Sequence, residues 1–78
     1  MDSYKACSII EGFAAEEPTE DGIVEAWQSL VDSGAVWSLQ GWYGRTAMDM
    51  LNEGILQFPK KETFDYYGNR IPTRNDVN

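Results

Sequence analysis

Apolar residues recur at helical spacing in three stretches of the chain, separated by glycines and by one acidic, proline-bearing segment. In the first stretch Ala6, Ile9, Ile10 and Phe13 stand at i, i+3, i+4 and i+7, one face of a helix. The spacing predicts a helix over 3–13, with Ser3 capping its free N–H groups and Gly12 weakening its end. Ala14 to Thr19 then reads as an acidic linker, because Pro18 prevents one helix from running through it. Thr19 is the N-cap expected for a second helix, with Glu20 and Asp21 in the first turn, where negative charge suits the helix dipole. Ile23, Trp27, Leu30 and Val31 form its stripe, Val24 and Ala26 lie at the stripe's edges, and Gly34 stops it with Val36 covering the last turn.

The pattern is less regular beyond Gly34. Ala35 to Gln40 is short and apolar and predicts one or two helical turns ending at Gly41, although periodicity alone also admits a β-segment. A further helix is expected from Trp42 or Tyr43 to Asn52, burying Tyr43, Ala47, Met50 and Leu51, and Gly54-Ile55 repeats the stop of Gly34-Ala35. The chain changes character at Pro59: Lys60-Lys61-Glu62 is polar, Thr63 to Tyr67 is β-prone, and Gly68-Asn69 is a turn signal. A small hairpin or an extended arm satisfies this pattern, Pro72 forbids a central strand, and Asn75 to Asn78 is expected to fray. The fold expected is therefore mainly α: a small three- to four-helix domain over residues 1–58, with an extended or hairpin-like C-terminal arm, residues 59–78, packed on it as part of one domain. Its expected core is Ile9, Ile10, Phe13, Ile23, Trp27, Leu30, Val31, Leu39, Ala47 and Leu51.

Composition limits what can hold such a domain together. At 78 residues, folding buries little more than about 60% of the unfolded surface, which leaves stability marginal. Cys7 is the only cysteine and histidine is absent, so an intramolecular disulfide and a Cys/His zinc site are both excluded. Aromatic residues at 13% compensate, since ten large rings can fill a small core. No apolar run approaches the roughly 18 residues that a membrane span requires, and the N-terminus lacks a basic region followed by an apolar one. The expectation is a soluble, cytoplasmic protein, with which a lone thiol is compatible.

Charge changes the picture further. The net charge of −7 lies entirely in residues 1–44, which hold eight acids and one base, whereas residues 45–78 hold five of each. Such a field repels phosphate backbones and attracts basic surfaces, so direct nucleic-acid binding by the first half is not expected. A helix–turn–helix reading fails on the same ground, because the helix after the aromatic hinge offers Asp49, Asn52 and Glu53 behind a lone Arg45.

Candidate chemistry is sparse. The carboxylates fall mainly on the acidic linker and on the polar face of the second helix, and no histidine can act as a base. Cys7 beside the Ile9/Ile10 stripe reads as a small hydrophobe, not a nucleophile. Gly41-Trp42-Tyr43-Gly44 lacks the Lys and Ser/Thr of a phosphate loop, and Glu16, Glu17, Glu20 and Asp21 lack the spacing of a calcium loop. Neither a metal nor a cofactor is expected.

What remains is Val36 to Arg45, which holds two of the three tryptophans and two of the seven glycines. Arg45 either stacks on Trp42 or Trp37 and ties to Asp49, or forms an exposed hot spot with the neighbouring aromatics, since Trp, Tyr and Arg dominate such spots.

The run from Ala26-Trp27-Gln28 through Asp32-Ser33-Gly34 to Leu39-Gln40-Gly41-Trp42-Tyr43-Gly44-Arg45-Thr46-Ala47 resembles a family of very small proteins encoded in tailed-bacteriophage genomes. The Ile9-Ile10-Glu11-Gly12-Phe13 opening and the close from Asp65 to Pro72 are similar as well, so the likeness covers most of the chain. The resemblance implies a setting, the cytoplasm of an infected bacterium, and assigns no catalytic residue.

Together these readings predict a non-enzymatic interaction protein that binds a bacterial protein. Its expected contact residues are Trp37, Trp42, Tyr43 and Arg45, or the acidic group Glu16, Glu17, Glu20 and Asp21. The alternatives are a structural homo-oligomer or virion component, an acidic mimic of nucleic acid, and a carboxylate-based hydrolase.

Overall fold

The structure, a computed structural model, describes residues 2–12, 19–39, 41–65 and 67–77. The chain is mainly helical. It contains α1 (Ser3–Glu11), α2 (Glu20–Ser33), a 3-10 turn (Ala35–Ser38), α3 (Gly41–Asn52), the strands β1 (Thr63–Phe64) and β2 (Arg70–Ile71), and α4 (Arg74–Val77).

Each helix starts and stops where local chemistry satisfies its free backbone groups. The cap of α1 is Asp2, not Ser3: its carboxylate accepts the Lys5 N–H at 2.7 Å, so the cap falls one residue earlier than the periodicity suggests. Gly12, at φ 82°, ends the helix with its N–H directed at the Ile9 and Ser8 carbonyls. That is short of the expected stop near Phe13, and Phe13, Pro18 and the rest of 13–18 lie outside the described residues. Thr19 caps α2 as expected, accepting the Gly22 N–H at 3.0 Å. Gly34 and Gly54 adopt the same left-handed conformation, φ 80° in both, so the two stops read from the sequence are one device used twice. After α3 the Gly54 N–H donates to the Leu51 carbonyl at 3.2 Å and the Ile55 N–H to the Met50 carbonyl at 2.9 Å.

α1 packs on α2, and the 3-10 turn joins α2 to α3 and touches both. Ala6, Ala26 and Ala47 are fully buried; small residues at those positions let the elements approach closely. Around them Trp27, Leu30, Val31, Val36, Trp37, Tyr43 and Leu51 complete the helical core.

Four expected core residues differ from expectation and a fifth is not described. Ile9, Ile10, Ile23 and Leu39 are half-buried and pack on the margin of the core, where the larger side chains lie once alanines occupy the closest contacts, and Phe13 is outside the described residues. α3 also begins at Gly41, a residue or two earlier than expected, and the preceding turn ends at Ser38, with Leu39 extended.

The C-terminal segment is a hairpin, not an extended arm. β1 and β2 pair antiparallel, with Thr63 opposite Ile71 and Phe64 opposite Arg70. Its turn is built around Asp65, whose carboxylate accepts the Tyr67 and Asn69 N–H groups at 2.9 Å each and the Asn69 amide at 3.3 Å. Ile71 of β2 is buried with the helical core, as is Leu56 ahead of Pro59, so the hairpin packs on the helices.

Residues 75–77, expected to fray, are helical as part of α4, and Asn78 lies outside the described residues. The Asp76 carboxylate accepts both the Thr73 N–H at 2.9 Å and the Thr73 hydroxyl at 3.0 Å, half of a capping box. The helix is tied down by the Arg74 N–H, which donates to the Pro59 carbonyl at 2.9 Å, and by an Arg74–Asp32 ion pair at 3.2 Å. Among the described residues no helix is long and apolar enough to cross a membrane.

Candidate functional site: a cleft between the third helix and the hairpin

Gly41, Gly44, Arg45 and Met48 stand at i, i+3, i+4 and i+7, which puts them on one face of α3. Two of the four lack a side chain, so this face is a trough. Val36, Trp37 and Leu39 form its floor, and Asp65, Tyr67 and Ile71 of the hairpin wall it on the far side. The result is a cleft of about 490 Å³, within the roughly 300–1,000 Å³ usual for binding clefts.

The glycines keep it open. A Cβ on Gly44 would stand 3.7 Å from the Trp37 ring, an ordinary contact, so this position has room for a side chain and carries none. A Cβ on Gly41 would stand 3.1 Å from Arg45 Nη1, because the guanidinium folds back one turn towards the start of α3. That geometry takes Arg45 away from Asp49, which lies one turn in the other direction. Among the described residues Arg45 has no ion pair, and the expected tie to Asp49 is not made.

The two charged groups of the cleft thus differ in kind. The Asp65 carboxylate is engaged by the backbone and side chain of its own turn. Arg45 is exposed and makes no ion pair among the described residues.

The four expected contact residues of the aromatic block separate into two places. Trp37 and Arg45 line the cleft. Trp42 and Tyr43 instead stack on each other with ring centroids 4.0 Å apart, and both meet Trp27 of α2, at 6.3 Å edge-on and at 5.6 Å respectively. Trp42 remains 37% exposed, whereas Tyr43 is only 3% exposed and belongs to the core, so its phenol offers nothing to a partner. Burial, reinforced by Cys7 and Glu11 of α1, pushes the Tyr43 phenol well above its ordinary range, and its hydroxyl meets hydrogen-bond geometry with none of the described residues.

Of the acidic group, Glu20 and Asp21 are exposed in the first turn of α2, and Glu16 and Glu17 lie outside the described residues. Asp21, Glu25 and Asp32 border a shallow polar concavity along the outer face of α2, on elements other than those of the cleft. No three described acidic or thiol side chains converge on a point where a metal ion could sit.

Sequence reasoning reached Trp37 and Arg45 but not Asp65, Tyr67 and Ile71. The signal for the last three was the Gly68-Asn69 turn, which foretold a hairpin without saying what it would face. No curated protein and no solved structure matches the chain. A family model described as a domain of unknown function matches residues 7–67, a span that includes the end of α1, all of α2 and α3, the helical side of the trough and β1 but neither β2 nor α4, and the chain belongs to that family, DUF7417.

Proposed function

We propose that this chain is a non-enzymatic interaction factor that receives part of a protein partner in the cleft between α3 and the hairpin. The observation that carries the reading is the helix face Gly41/Gly44/Arg45/Met48, where the glycines withhold side chains and leave an apolar floor beside a cation that has no ion pair among the described residues. Glycine within a helix costs about 0.5–1 kcal/mol relative to alanine, and at Gly44 no steric conflict requires it. An open trough is what the cost maintains.

Supporting it from the side of chemistry, the acid in the cleft is Asp65, and its oxygens are already committed to the turn, away from any general-base task. The partner in this reading is a bacterial protein, the setting that the likeness to phage-encoded proteins implies.

The test fills the trough. The immobilised chain is incubated with bacterial lysate at low salt, alongside Gly44→Leu, whose side chain projects into the cleft from a position with room for its Cβ. A protein retained by the parent chain and released by Gly44→Leu is the expected result. Equal retention by both, or none by either, overturns the reading.

A further inference from the structure

We infer that the cleft is selective for a peptide segment carrying a large apolar side chain beside a single carboxylate, with Arg45 as the residue that reads the carboxylate. The inference rests on the reading of the cleft as a docking site and adds the chemistry of what docks.

The floor fixes the first half of that chemistry. Val36, Leu39, Met48 and Ile71 bring apolar side chains to the lining, and Trp37 adds its indole ring. Trp37 Nε1 does not alter this, because the atom is itself buried and out of contact with solvent. Burying an apolar group here gains roughly 25 cal/mol for each Å² removed from water, whereas an unpaired polar group would lose its hydration without compensation.

Charge complementarity fixes the second half. Arg45 lines the same cleft, is exposed, and has no acidic partner among the described residues. Asp65, the acid in the lining, makes no ion pair with Arg45, and its oxygens accept from Tyr67 and Asn69 of its own turn. A guanidinium presents a planar fork that matches a carboxylate in two parallel hydrogen bonds, and such charge-assisted bonds are about twice as strong as neutral ones.

The rest of the chain then limits how much negative charge the partner can bring. With −7 overall, concentrated before residue 45, the molecule repels an acidic run, while screening confines that repulsion to about 8–10 Å. One carboxylate held at Arg45 satisfies both conditions, and a polyacidic segment does not.

The test uses the whole ¹⁵N-labelled chain and two peptides, acetyl-Gly-Phe-Glu-Gly-amide and its glutamine counterpart acetyl-Gly-Phe-Gln-Gly-amide. Titration is followed by amide shifts at Gly41, Gly44, Arg45 and Met48. The glutamate peptide is expected to bind about tenfold more tightly than the glutamine peptide, and Arg45→Gln, a change at an exposed side chain, is expected to abolish that difference. Equal affinity of the two peptides, shifts centred outside the cleft, or concentration-dependent self-association that occupies these residues would each overturn the inference. A lysate protein released by Gly44→Leu but indifferent to Arg45→Gln would leave the docking site standing and remove the carboxylate, so the two readings fail separately.

Discussion

Gln28 holds the backbone of Gln57 from both sides: its Nε2 donates to the Gln57 carbonyl at 2.9 Å, and its Oε1 accepts the Gln57 N–H at 2.8 Å. A side-chain amide here does what a neighbouring strand does in a sheet, fixing the loop after α3 against α2. The same Nε2 also reaches Asp32 at 3.1 Å. Gln28→Ala is therefore expected to cost about 1–2 kcal/mol, the worth of two hydrogen bonds whose partners can turn to water. Gln28→Glu should cost at least as much, because a carboxylate cannot donate and faces both the Gln57 carbonyl and Asp32. Urea unfolding of the two variants measures both.

The glycines divide into those that shape the backbone and those that shape a surface. Gly34 sits at φ 80°, and a Cβ there would meet Thr63 Cγ2 at 3.0 Å, so Gly34→Ala is expected to destabilise by roughly 1–2 kcal/mol or more. Gly44→Ala should do the opposite, raising stability by about 0.5–1 kcal/mol, since its Cβ finds ordinary contact with Trp37 in a helical residue. Paired thermal melts separate them by sign.

Tyr43 makes the chain sensitive to alkali. Its phenol ionises at a higher pH in the folded chain than in the unfolded one, chiefly because burial disfavours the phenolate. The unfolded state then loses its proton first, near pH 10, and folding stability falls as pH rises through and beyond that value. Tyr43→Phe is expected to remove this contribution to alkaline unfolding. At neutral pH it should cost less than about 0.5 kcal/mol, since the hydroxyl gives up no hydrogen bond to a described residue. Unfolding midpoints between pH 7 and 11 provide the measurement.

Asp76 acts at the other end of the scale. The Thr73 N–H, the Arg70 guanidinium 2.8 Å away and the Thr73 hydroxyl hold its carboxyl below the ordinary Asp range. Its stabilising contribution is thus present above the unfolded value of about 3.9 and is lost as pH falls through the lower folded value. Arg70→Gln should move the Asp76 titration midpoint upwards, part of the way back to the ordinary value, as read from its carboxyl carbon shift. No movement would mean that the Thr73 contacts alone set it.

Much of the fold was legible because helices announce themselves through repetition. Ile23, Trp27, Leu30 and Val31 at fixed spacing, with Thr19 before and Gly34 after, leave little choice about α2. The hairpin was legible as an element, from Gly68-Asn69, but not as a wall of the cleft. Its position follows from single contacts that have no period: Gln28 with Gln57, Arg74 with Asp32, Thr63 beside Gly34.

The aromatic block shows the same division. Adjacency in sequence grouped Trp42 with Arg45, yet the helical repeat sets Gly41, Gly44, Arg45 and Met48 on the trough and sends Trp42 to its stack with Tyr43. Ser3 was displaced as a cap by a stronger acceptor one residue away.

The cleft's two walls come from opposite sides of Pro59, and this gives the chain an order of events. Until Asp65, Tyr67 and Ile71 arrive, Val36, Trp37 and Met48 form a bare apolar strip on an otherwise acidic body, open to any sticky surface. The hairpin converts that liability into a bounded recess. The bounded recess is therefore a property of the finished molecule, and a C-terminally clipped form is expected to expose the apolar strip and to self-associate.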